Sequence, residues 1–304
     1  MCNGGTTLNN FKMEKAIIFL VDDDEDDRML ISQALLDLIE YLDIREISTG
    51  AELLNLISSP GFEKPALILL DMNMPGLDGL AVLASLKRDL DSRMIPVVMM
   101  STASDRELVG RAYSLGVNAF IKKPVTPADY NLAAQAVNLC FLNYLHISQF
   151  PQVASNDQVE TIIVIEDSDD HWAMMNDSFR LSRPSRNLIR LRNKSGMLDF
   201  LENCYRDLTP APQLILLDLY LPTRREGLSL LESIRYFISI NNLADIPIIV
   251  FSNSPDKKDI NACYQKFANA YMLKPSDPSQ WPLHLNSLSY VWKKAIRYPI
   301  FKDK

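Results

Sequence analysis

The segment Ala16-Ile-Ile-Phe-Leu-Val-Asp22 decides how the chain is interpreted, because it occurs a second time as Thr161-Ile-Ile-Val-Ile-Glu-Asp167. Each copy is a short apolar run that ends in acidic residues. A run that is apolar on both faces is typical of a buried strand in a parallel sheet, and the carboxylates mark the carboxyl end of that strand. The repetition indicates two copies of one structural unit.

Three further segments repeat in the same order along the chain. Ala66-Leu-Ile-Leu-Leu-Asp71 matches Leu214-Ile-Leu-Leu-Asp218, Ile95-Pro-Val-Val-Met-Met-Ser101 matches Ile246-Pro-Ile-Ile-Val-Phe-Ser252, and Ala119-Phe-Ile-Lys-Lys-Pro124 matches Ala270-Tyr-Met-Leu-Lys-Pro275. The spacing agrees as well: the serine precedes the lysine by 22 residues in both halves, and follows the aspartate by 30 residues in the first and 34 in the second. Two copies of one fold explain this agreement better than chance.

Helical patterns alternate with these strands. After the first strand, one predicted helix face carries Ala34, Leu35, Leu38, Ile39 and Leu42. Short strands that alternate with helices predict βαβ units, and therefore a parallel sheet with helices on both faces. The predicted organisation is an N-terminal tail (1–13), a first domain (14–148), a polar linker (149–158) and a second domain (159–304).

Composition supports two globular domains and excludes several classes of protein. The chain has 304 residues, of which 47% are hydrophobic and 23% charged. Its formal charge of −7 disfavours direct binding to nucleic acid, which requires clustered Lys and Arg. The four cysteines form no Cys-x-x-Cys pair, and no apolar run approaches the roughly 18 residues of a membrane helix. We therefore expect a cytoplasmic protein that does not enter a membrane.

The polar residues at the strand ends suggest phosphoryl chemistry. Ligands of open parallel sheets bind beyond the carboxyl ends of the strands, where Asp22, Asp23, Asp71, Ser101 and Lys123 all fall. Transfer of a phosphoryl group to a carboxylate needs an exposed nucleophile, a cation and donors that hold the phosphoryl oxygens. The aspartates supply the nucleophile and hard oxygen ligands suited to Mg²⁺, and the serine and lysine supply the donors.

Together these motifs resemble bacterial response-regulator receiver domains, including the single-domain chemotaxis regulator. The resemblance rests on Val21-Asp-Asp23, Leu70-Asp-Met-Asn-Met-Pro-Gly-Leu-Asp-Gly79, Ser101 and Lys123-Pro124, and it covers roughly residues 14–145 and 158–300. It implies an α/β fold of two flavodoxin-like (βα)5 receiver domains, each a five-stranded parallel sheet with helices on both faces.

The resemblance also implies a role for each site residue. In the first half, Asp71 would accept the phosphoryl group, and Asp22, Asp23, Asp71 and the backbone carbonyl of Asn73 would hold Mg²⁺. Ser101 and Lys123 would bind the phosphoryl oxygens, Phe120 would be the aromatic switch residue, and the Lys-Pro bond would be cis. The matching residues of the second half are Asp218 as acceptor, Glu166, Asp167 and Tyr220 at the metal, and Ser252, Lys274 and Tyr271 at the phosphate.

The second half departs from the pattern in three respects. Glu166 replaces the first aspartate, and Tyr220 is much bulkier than Asn73, so that it would shield an acyl phosphate from water. The loop from Asp218 to Gly227 is one residue longer than the loop from Asp71 to Gly79. This half also resembles the small regulators that partner cyanobacterial phytochromes, which implies a homodimer through the second domain.

Other charged residues receive plainer interpretations. Asp24, Glu25, Asp26 and Asp27 are interpreted as solvated acids at the start of a helix, where the helix dipole favours them. His146, His171 and His284 show no ligand spacing, and we expect them to be solvated or packed.

The predicted function is that of a two-component response regulator. A sensor histidine kinase or a histidine phosphotransfer protein would donate the phosphoryl group, and the output would be binding to a downstream protein target. As an enzyme it would catalyse only its own phosphorylation and dephosphorylation. One alternative is a non-phosphorylated scaffold in one half. Another is an aspartyl-nucleophile phosphatase, but such enzymes require Asp-x-Asp, and neither Asn73 nor Tyr220 can donate the proton that the second acid supplies.

Overall fold

The computed structural model describes residues 15–102, 105–143, 160–182, 186–208, 211–241 and 246–297. The predicted tail (1–13) and linker (149–158) lie outside these ranges. None of the helices within them is long and apolar enough to cross a membrane.

The first unit alternates strands and helices from its beginning. The strands are β1 (Ala16–Val21), β2 (Leu42–Ile47), β3 (Leu67–Asp71), β4 (Val97–Ser101) and β5 (Ala119–Lys122). The helices are α1 (Glu25–Leu38), α2 (Gly50–Ile57), α3 (Gly79–Arg88), α4 (Arg106–Ser114) and α5 (Pro127–Val137), and a π-helical turn (Asn138–Leu142) extends α5.

The second unit repeats this order. Its strands are β6 (Thr161–Ile165), β7 (Asn187–Leu191), β8 (Leu214–Leu217), β9 (Ile248–Ser252) and β10 (Ala270–Leu273), followed by a two-residue strand, β11 (Ile296–Arg297). Its helices are α6 (Asp169–Ser182), α7 (Lys194–Asn203), α8 (Arg224–Ile240), α9 (Lys257–Gln265) and α10 (Trp281–Lys294).

The two sheets confirm the predicted fold class. The second has the order β10-β9-β8-β6-β7 with every pair parallel, which is the flavodoxin-like arrangement. The first has the same core order, β5-β4-β3-β1-β2, but it contains six strands rather than the expected five. The extra strand is β11 from the end of the second unit, which pairs antiparallel with β5.

The central strands are buried on both faces, as their uninterrupted apolar sequences require. Every residue of β3, β4, β6, β8 and β9 is buried. One detail of the predicted first helix is wrong: Leu42 begins β2, because the helix ends at Leu38 and Ile39 is already extended. Leu42 is nevertheless buried, so its apolar character reflects packing in the core rather than helical periodicity.

The two units pack against each other through their edge strands, in a reciprocal manner. The end of the second unit supplies β11, whose Ile296 and Arg297 lie opposite Ile121 and Phe120 of β5. The end of the first unit supplies Asn143, whose Nδ2 donates to the Tyr271 carbonyl at 3.0 Å and whose Oδ1 accepts from the Leu273 amide at 3.0 Å. Each sheet edge is therefore covered by the C-terminal end of the other unit.

A pair of buried asparagines joins the amino ends of the same edge strands. Asn118 precedes β5 and donates to the Ala268 carbonyl at 2.9 Å, and Asn269 precedes β10 and donates to the Asn118 carbonyl at 3.1 Å. The Oδ1 atom of each accepts a backbone N–H of its own unit, from Val97 or Ile248. Both side chains are thus fixed from two sides, which makes the domain contact specific as well as apolar.

Asn143 offers a test of this contact, because both of its interdomain hydrogen bonds come from one side chain. Its φ of 56° is left-handed, so Asn143→Gly keeps the backbone relaxed while removing the bonds. We expect a loss of about 1–2 kcal/mol in the free energy of unfolding and faster hydrogen exchange at the Leu273 amide. Asn55→Ala, on the exposed side of α2, is the control. Unchanged exchange at Leu273 would show that the bridge contributes nothing in solution.

His284 predicts an acid-sensitive second unit. It is buried beside Phe251, and its Nε2 has no hydrogen-bond partner among the described residues. Burial lowers the pKa of His284 to about 4 from 6.5, so the unfolded chain binds the extra proton first. The free energy of unfolding is therefore unaffected by His284 above pH 6.5. It decreases as the pH falls from 6.5 towards 4, by up to about 3 kcal/mol.

Urea unfolding at pH 7, 5.5 and 4.5 measures that loss. His284→Leu should flatten the pH dependence, whereas Leu283→Gln, at an exposed neighbouring position, should keep the wild-type slope. Equal slopes in the wild type and His284→Leu would contradict the assignment.

Candidate functional site

The polar residues of the first unit meet at the carboxyl edge of its sheet because four strands end there. Asp22 follows β1, Asp71 ends β3, Ser101 ends β4 and Lys123 follows β5. Asp22 and Ser101 are fully buried. Asp71 is only 1% exposed, so it is not the exposed nucleophile that the sequence predicted, because its neighbours, Lys123 among them, cover it. The sequence predicted that these residues lie together. In the structure Asp22, Asp71 and Lys123 form one cluster, and Ser101 lies beside it, next to Asn73.

Lys123 lies at the centre of this cluster. Its Nζ lies 2.9 Å from Asp22 Oδ2, 3.1 Å from Asp71 Oδ1 and 2.7 Å from Asp27 Oδ2. Burial opposes the charge of the ammonium, but hydrogen bonds to Asp27 and Asp22 and the charge of Asp71 outweigh it and raise the pKa of Lys123. The lysine is therefore a fixed positive charge shared among three acids.

The acids retain capacity for a cation besides this lysine. Burial raises the pKa of Asp22, and the hydrogen bond from Lys123 offsets only part of that rise. Apart from the ion pair with Lys123, Asp22 Oδ2 and Asp71 Oδ1 are buried without a hydrogen-bond partner among the described residues. Asp23 is exposed, and one oxygen from each of Asp22, Asp23 and Asp71 lies within 4.8 Å of the others. Carboxylate oxygens from three residues this close together fit a hard divalent ion such as Mg²⁺.

The other predicted residues of the first site lie around this cluster. The Asn73 amide donates to Asp71 Oδ2 at 2.9 Å, which turns the chain directly after the acceptor, and its side chain lies 3.4 Å from Ser101 Oγ. Phe120 is fully buried within β5, one strand away from Ser101.

The second unit builds the same bridge with different acids. Lys274 Nζ lies 2.7 Å from Glu166 Oε2 and 2.8 Å from Asp218 Oδ2, and the lysine side chain is fully buried. The Tyr220 amide donates to Asp218 Oδ1 as Asn73 does to Asp71. The longer Glu166 side chain thus still reaches the lysine, as Asp22 does in the first unit. The acidic cluster differs, because it contains Glu166, His171 and Asp218 and not the predicted Asp167.

The loop after Asp218 is fixed by a hydrogen-bond network around Asp259. The Tyr220 hydroxyl donates to Asp259 Oδ2 at 2.9 Å, the Ser254 hydroxyl donates to the same oxygen at 2.6 Å, and Arg224 pairs with Oδ1. Burial opposes the charge on Asp259, but these donors together lower its pKa. The Tyr220 ring is therefore tied to the start of α9. Nearby, the buried Tyr271 donates its hydroxyl to the Ser254 carbonyl at 2.7 Å, while Ser252 Oγ accepts from the Ser254 amide.

Sequence reasoning missed two residues of these sites. Asp27 was interpreted as a solvated acid, yet it is one of the three partners of Lys123. Its counterpart His171 was interpreted without a role, yet its Nδ1 lies 3.2 Å from Lys274 Nζ. Both lie five residues beyond the first acid, in the first turn of the helix that follows the strand. A side chain at that position turns back over the sheet edge. The equal spacing in the two halves was the sequence signal that could have identified both residues.

The Lys-Pro bonds differ from the expectation drawn from the resemblance. Within the described ranges the cis peptide bond is Leu221–Pro222, so Lys123–Pro124 and Lys274–Pro275 are trans. Both lysines reach their acids with this geometry.

Two glycines allow α3 and α8 to approach the acceptor loops. A Cβ atom on Gly79 would lie 2.3 Å from the Asp71 carbonyl oxygen, and one on Gly227 would lie 1.9 Å from the Leu219 carbonyl oxygen. The obstacle is backbone in both cases, so it cannot move aside cheaply. The glycines therefore set the distance between the acceptor strand and the following helix.

We expect Gly79→Ala to cost at least about 1–3 kcal/mol of unfolding free energy, because it overpacks the backbone beside Asp71. Gly110→Ala is the matched control: it lies in α4 with open space around it, and should stabilise by up to about 1 kcal/mol. Denaturant unfolding of both variants measures the difference. If Gly79→Ala were as stable as Gly110→Ala, the close approach would not exist.

Comparison with known proteins gives a consistent picture for both units. The family model described as "Response regulator receiver domain" matches residues 18–135 and 162–286. The chain is 33% identical over 133 residues to the probable methanogenesis regulatory protein FilR2 of Methanothrix harundinacea, covering 42% of this chain and 84% of that protein. It is 30% identical over 125 residues to the probable chemotaxis protein CheY of Rhizobium etli, covering 41% and 93%.

Solved structures resemble single units of the chain. The bacteriophytochrome response regulator AtBRR is 34% identical, with a TM-score of 0.35, and the match covers 40% of this chain and 90% of that one. The phosphorylated cyanobacterial phytochrome response regulator RcpA is 30% identical, with a TM-score of 0.39, and the match covers 41% and 91%.

Proposed function

Because this chain belongs to the response regulator receiver domain family, we propose that its two receivers accept phosphoryl groups from phosphohistidine, on Asp71 and on Asp218. The donor is a sensor histidine kinase or a histidine phosphotransfer protein. The observation that carries the proposal is the repeated bridge: in each unit a lysine ammonium joins the carboxylate that ends the third strand to the acid that ends the first.

The reaction follows from these positions. A carboxylate oxygen of Asp71 attacks the phosphorus atom, the bond from phosphorus to the imidazole nitrogen breaks, and the imidazole leaves with the bonding electrons. Lys123 neutralises charge on the phosphoryl oxygens, and Ser101 donates its hydroxyl to one of them. Mg²⁺ held by Asp22, Asp23, Asp71 and the Asn73 carbonyl would supply further positive charge at those oxygens. The second receiver would use Glu166, Asp167, Asp218 and the Tyr220 carbonyl in the same way.

The readout is a change in protein binding. Ser101 and Ser252 end the strands next to the edge strands that carry Phe120 and Tyr271. Both aromatic side chains are fully buried. A shift of the serine hydroxyl towards a phosphoryl group would therefore change the packing around them and displace them. The downstream target is a protein rather than nucleic acid, in keeping with the formal charge of −7. We place the protein in the cytoplasm, where such donors act.

A homodimer through the second receiver cannot use the β10 edge. Asn143 already bridges the Tyr271 carbonyl and the Leu273 amide of that strand. The β7 edge of the sheet and the outer helices of the second receiver are the surfaces that remain within the described residues. Light scattering of the phosphorylated and unphosphorylated chain would detect such a dimer.

Replacement of the acceptors tests the function directly. The full chain is incubated with Mg²⁺ and acetyl phosphate and separated on a phosphate-affinity gel. Asp71→Asn and Asp218→Asn should each lose one phosphorylated species, and the double variant should lose both, because the amide is a poor nucleophile.

Asp91→Asn and Asp199→Asn, at exposed acids of the first and second unit, are the matched controls and should retain full labelling. Retention of both labels by the double variant would place phosphorylation elsewhere. If Asp218→Asn alone retained both phosphorylated species, the second unit would be a non-phosphorylated scaffold.

A further inference from the structure

We propose that the two receivers prefer different divalent ions: the first site takes Mg²⁺, and the second takes a first-row transition-metal ion through the imidazole of His171. The inference deepens the proposed function, since it concerns the ion at the same acceptor site. It begins from the residue exchanged between otherwise equivalent positions, Asp27 in the first unit and His171 in the second.

His171 belongs to the ligand set of the second site by position. One ligand atom from each of Glu166, His171 and Asp218 lies within 4.8 Å of the others. In the first unit the corresponding cluster consists of Asp22, Asp23 and Asp71, with oxygen ligands alone. The second cluster therefore includes a nitrogen ligand, whereas the first consists of carboxylates alone.

The contacts of Lys274 show which way the imidazole nitrogen points. In either tautomer, His171 Nδ1 faces the site: it lies 3.2 Å from Lys274 Nζ and 3.4 Å from Glu166 Oε1. The same ammonium lies 2.7 Å from Glu166 and 2.8 Å from Asp218. Glu166, His171 and Asp218 therefore all face one point, which the ammonium occupies.

Neighbouring aromatic residues fix the imidazole in this orientation. The His171 ring stacks on Trp281 with centroids 5.6 Å apart and planes 26° from parallel. Trp281 is buried, donates its indole N–H to the Pro275 carbonyl at 3.0 Å, and packs edge-on against Phe251. An imidazole held in advance loses little freedom on binding a metal, which favours it as a ligand.

Charge and ligand type both separate the two sites. In the first site Lys123 pairs with the three acids Asp22, Asp27 and Asp71. In the second site Lys274 pairs with the two acids Glu166 and Asp218, and His171 takes the place of the third. Mg²⁺ depends on hard oxygen ligands and on charge, so it loses affinity at the second site. Imidazole suits Co²⁺, Ni²⁺, Cu²⁺ and Zn²⁺, whose affinities for nitrogen ligands exceed that of Mg²⁺.

The chain provides its own reporter for the test. All three tryptophans, Trp172, Trp281 and Trp292, lie in the second unit, and Trp281 touches His171. Tryptophan emission therefore reports ions bound at the second site, and the visible absorption of Co²⁺ reports nitrogen ligation. Cys2→Ser and Cys204→Ser are introduced throughout, since Cys204 is an exposed thiol that would bind Co²⁺ by itself.

The full chain, freed of metal and without phosphodonor, is titrated with Co²⁺ and with Mg²⁺. We expect His171→Asp, which installs the residue of the first unit, to lower the preference of the second site for Co²⁺ over Mg²⁺ by at least about tenfold. Asp27→His should create a second nitrogen-ligated Co²⁺ site. Thermal unfolding of each variant confirms that it is folded.

A preference that stays within about twofold in His171→Asp would overturn the proposal, as would Co²⁺ quenching that survives Asp218→Ala. Because no phosphoryl group is present, failure of the acceptor experiment leaves this result intact, and the two conclusions stand or fall separately.

Discussion

The bridge from a buried lysine to two carboxylates is the interaction on which both receivers depend. Lys123 and Lys274 each follow the fifth strand of their unit, and each reaches across to acids at the ends of the first and third strands. Three buried or half-buried charges can coexist there only because each is paired, and removal of the lysine would leave like charges facing each other. The strand order that places these ends side by side is thus a requirement of the chemistry as well as of the packing.

The fold and the central residues of both sites follow from the sequence for a simple physical reason. A parallel strand that is buried on both faces reads as an apolar run, and the polar residue that ends it must emerge at the carboxyl edge. Asp22, Asp71, Ser101 and Lys123 were predictable on this basis, and so were their counterparts, because the pattern occurs twice.

The features that were missed depend on geometry that sequence patterns do not encode. Asp27 and His171 lie in helical first turns, where the direction of the side chain over the sheet edge depends on how the helix is docked. The strand β11 has two residues, and the bridge to β10 is made by the single residue Asn143, so neither produces a periodic signal. Tyr220 is bulky as expected, but its contact with Asp259 could not be anticipated from size alone.

The reciprocal covering of the sheet edges has a consequence for how the receivers meet. Two separate chains would associate to an extent set by their abundance, whereas here the partner surface is supplied in cis by β11 and Asn143. Tethering of this kind gives an effective concentration on the order of millimolar, whatever the number of molecules in the cell. The pairing of one receiver with the other is therefore independent of expression level, and the ratio of the two modules is always one to one.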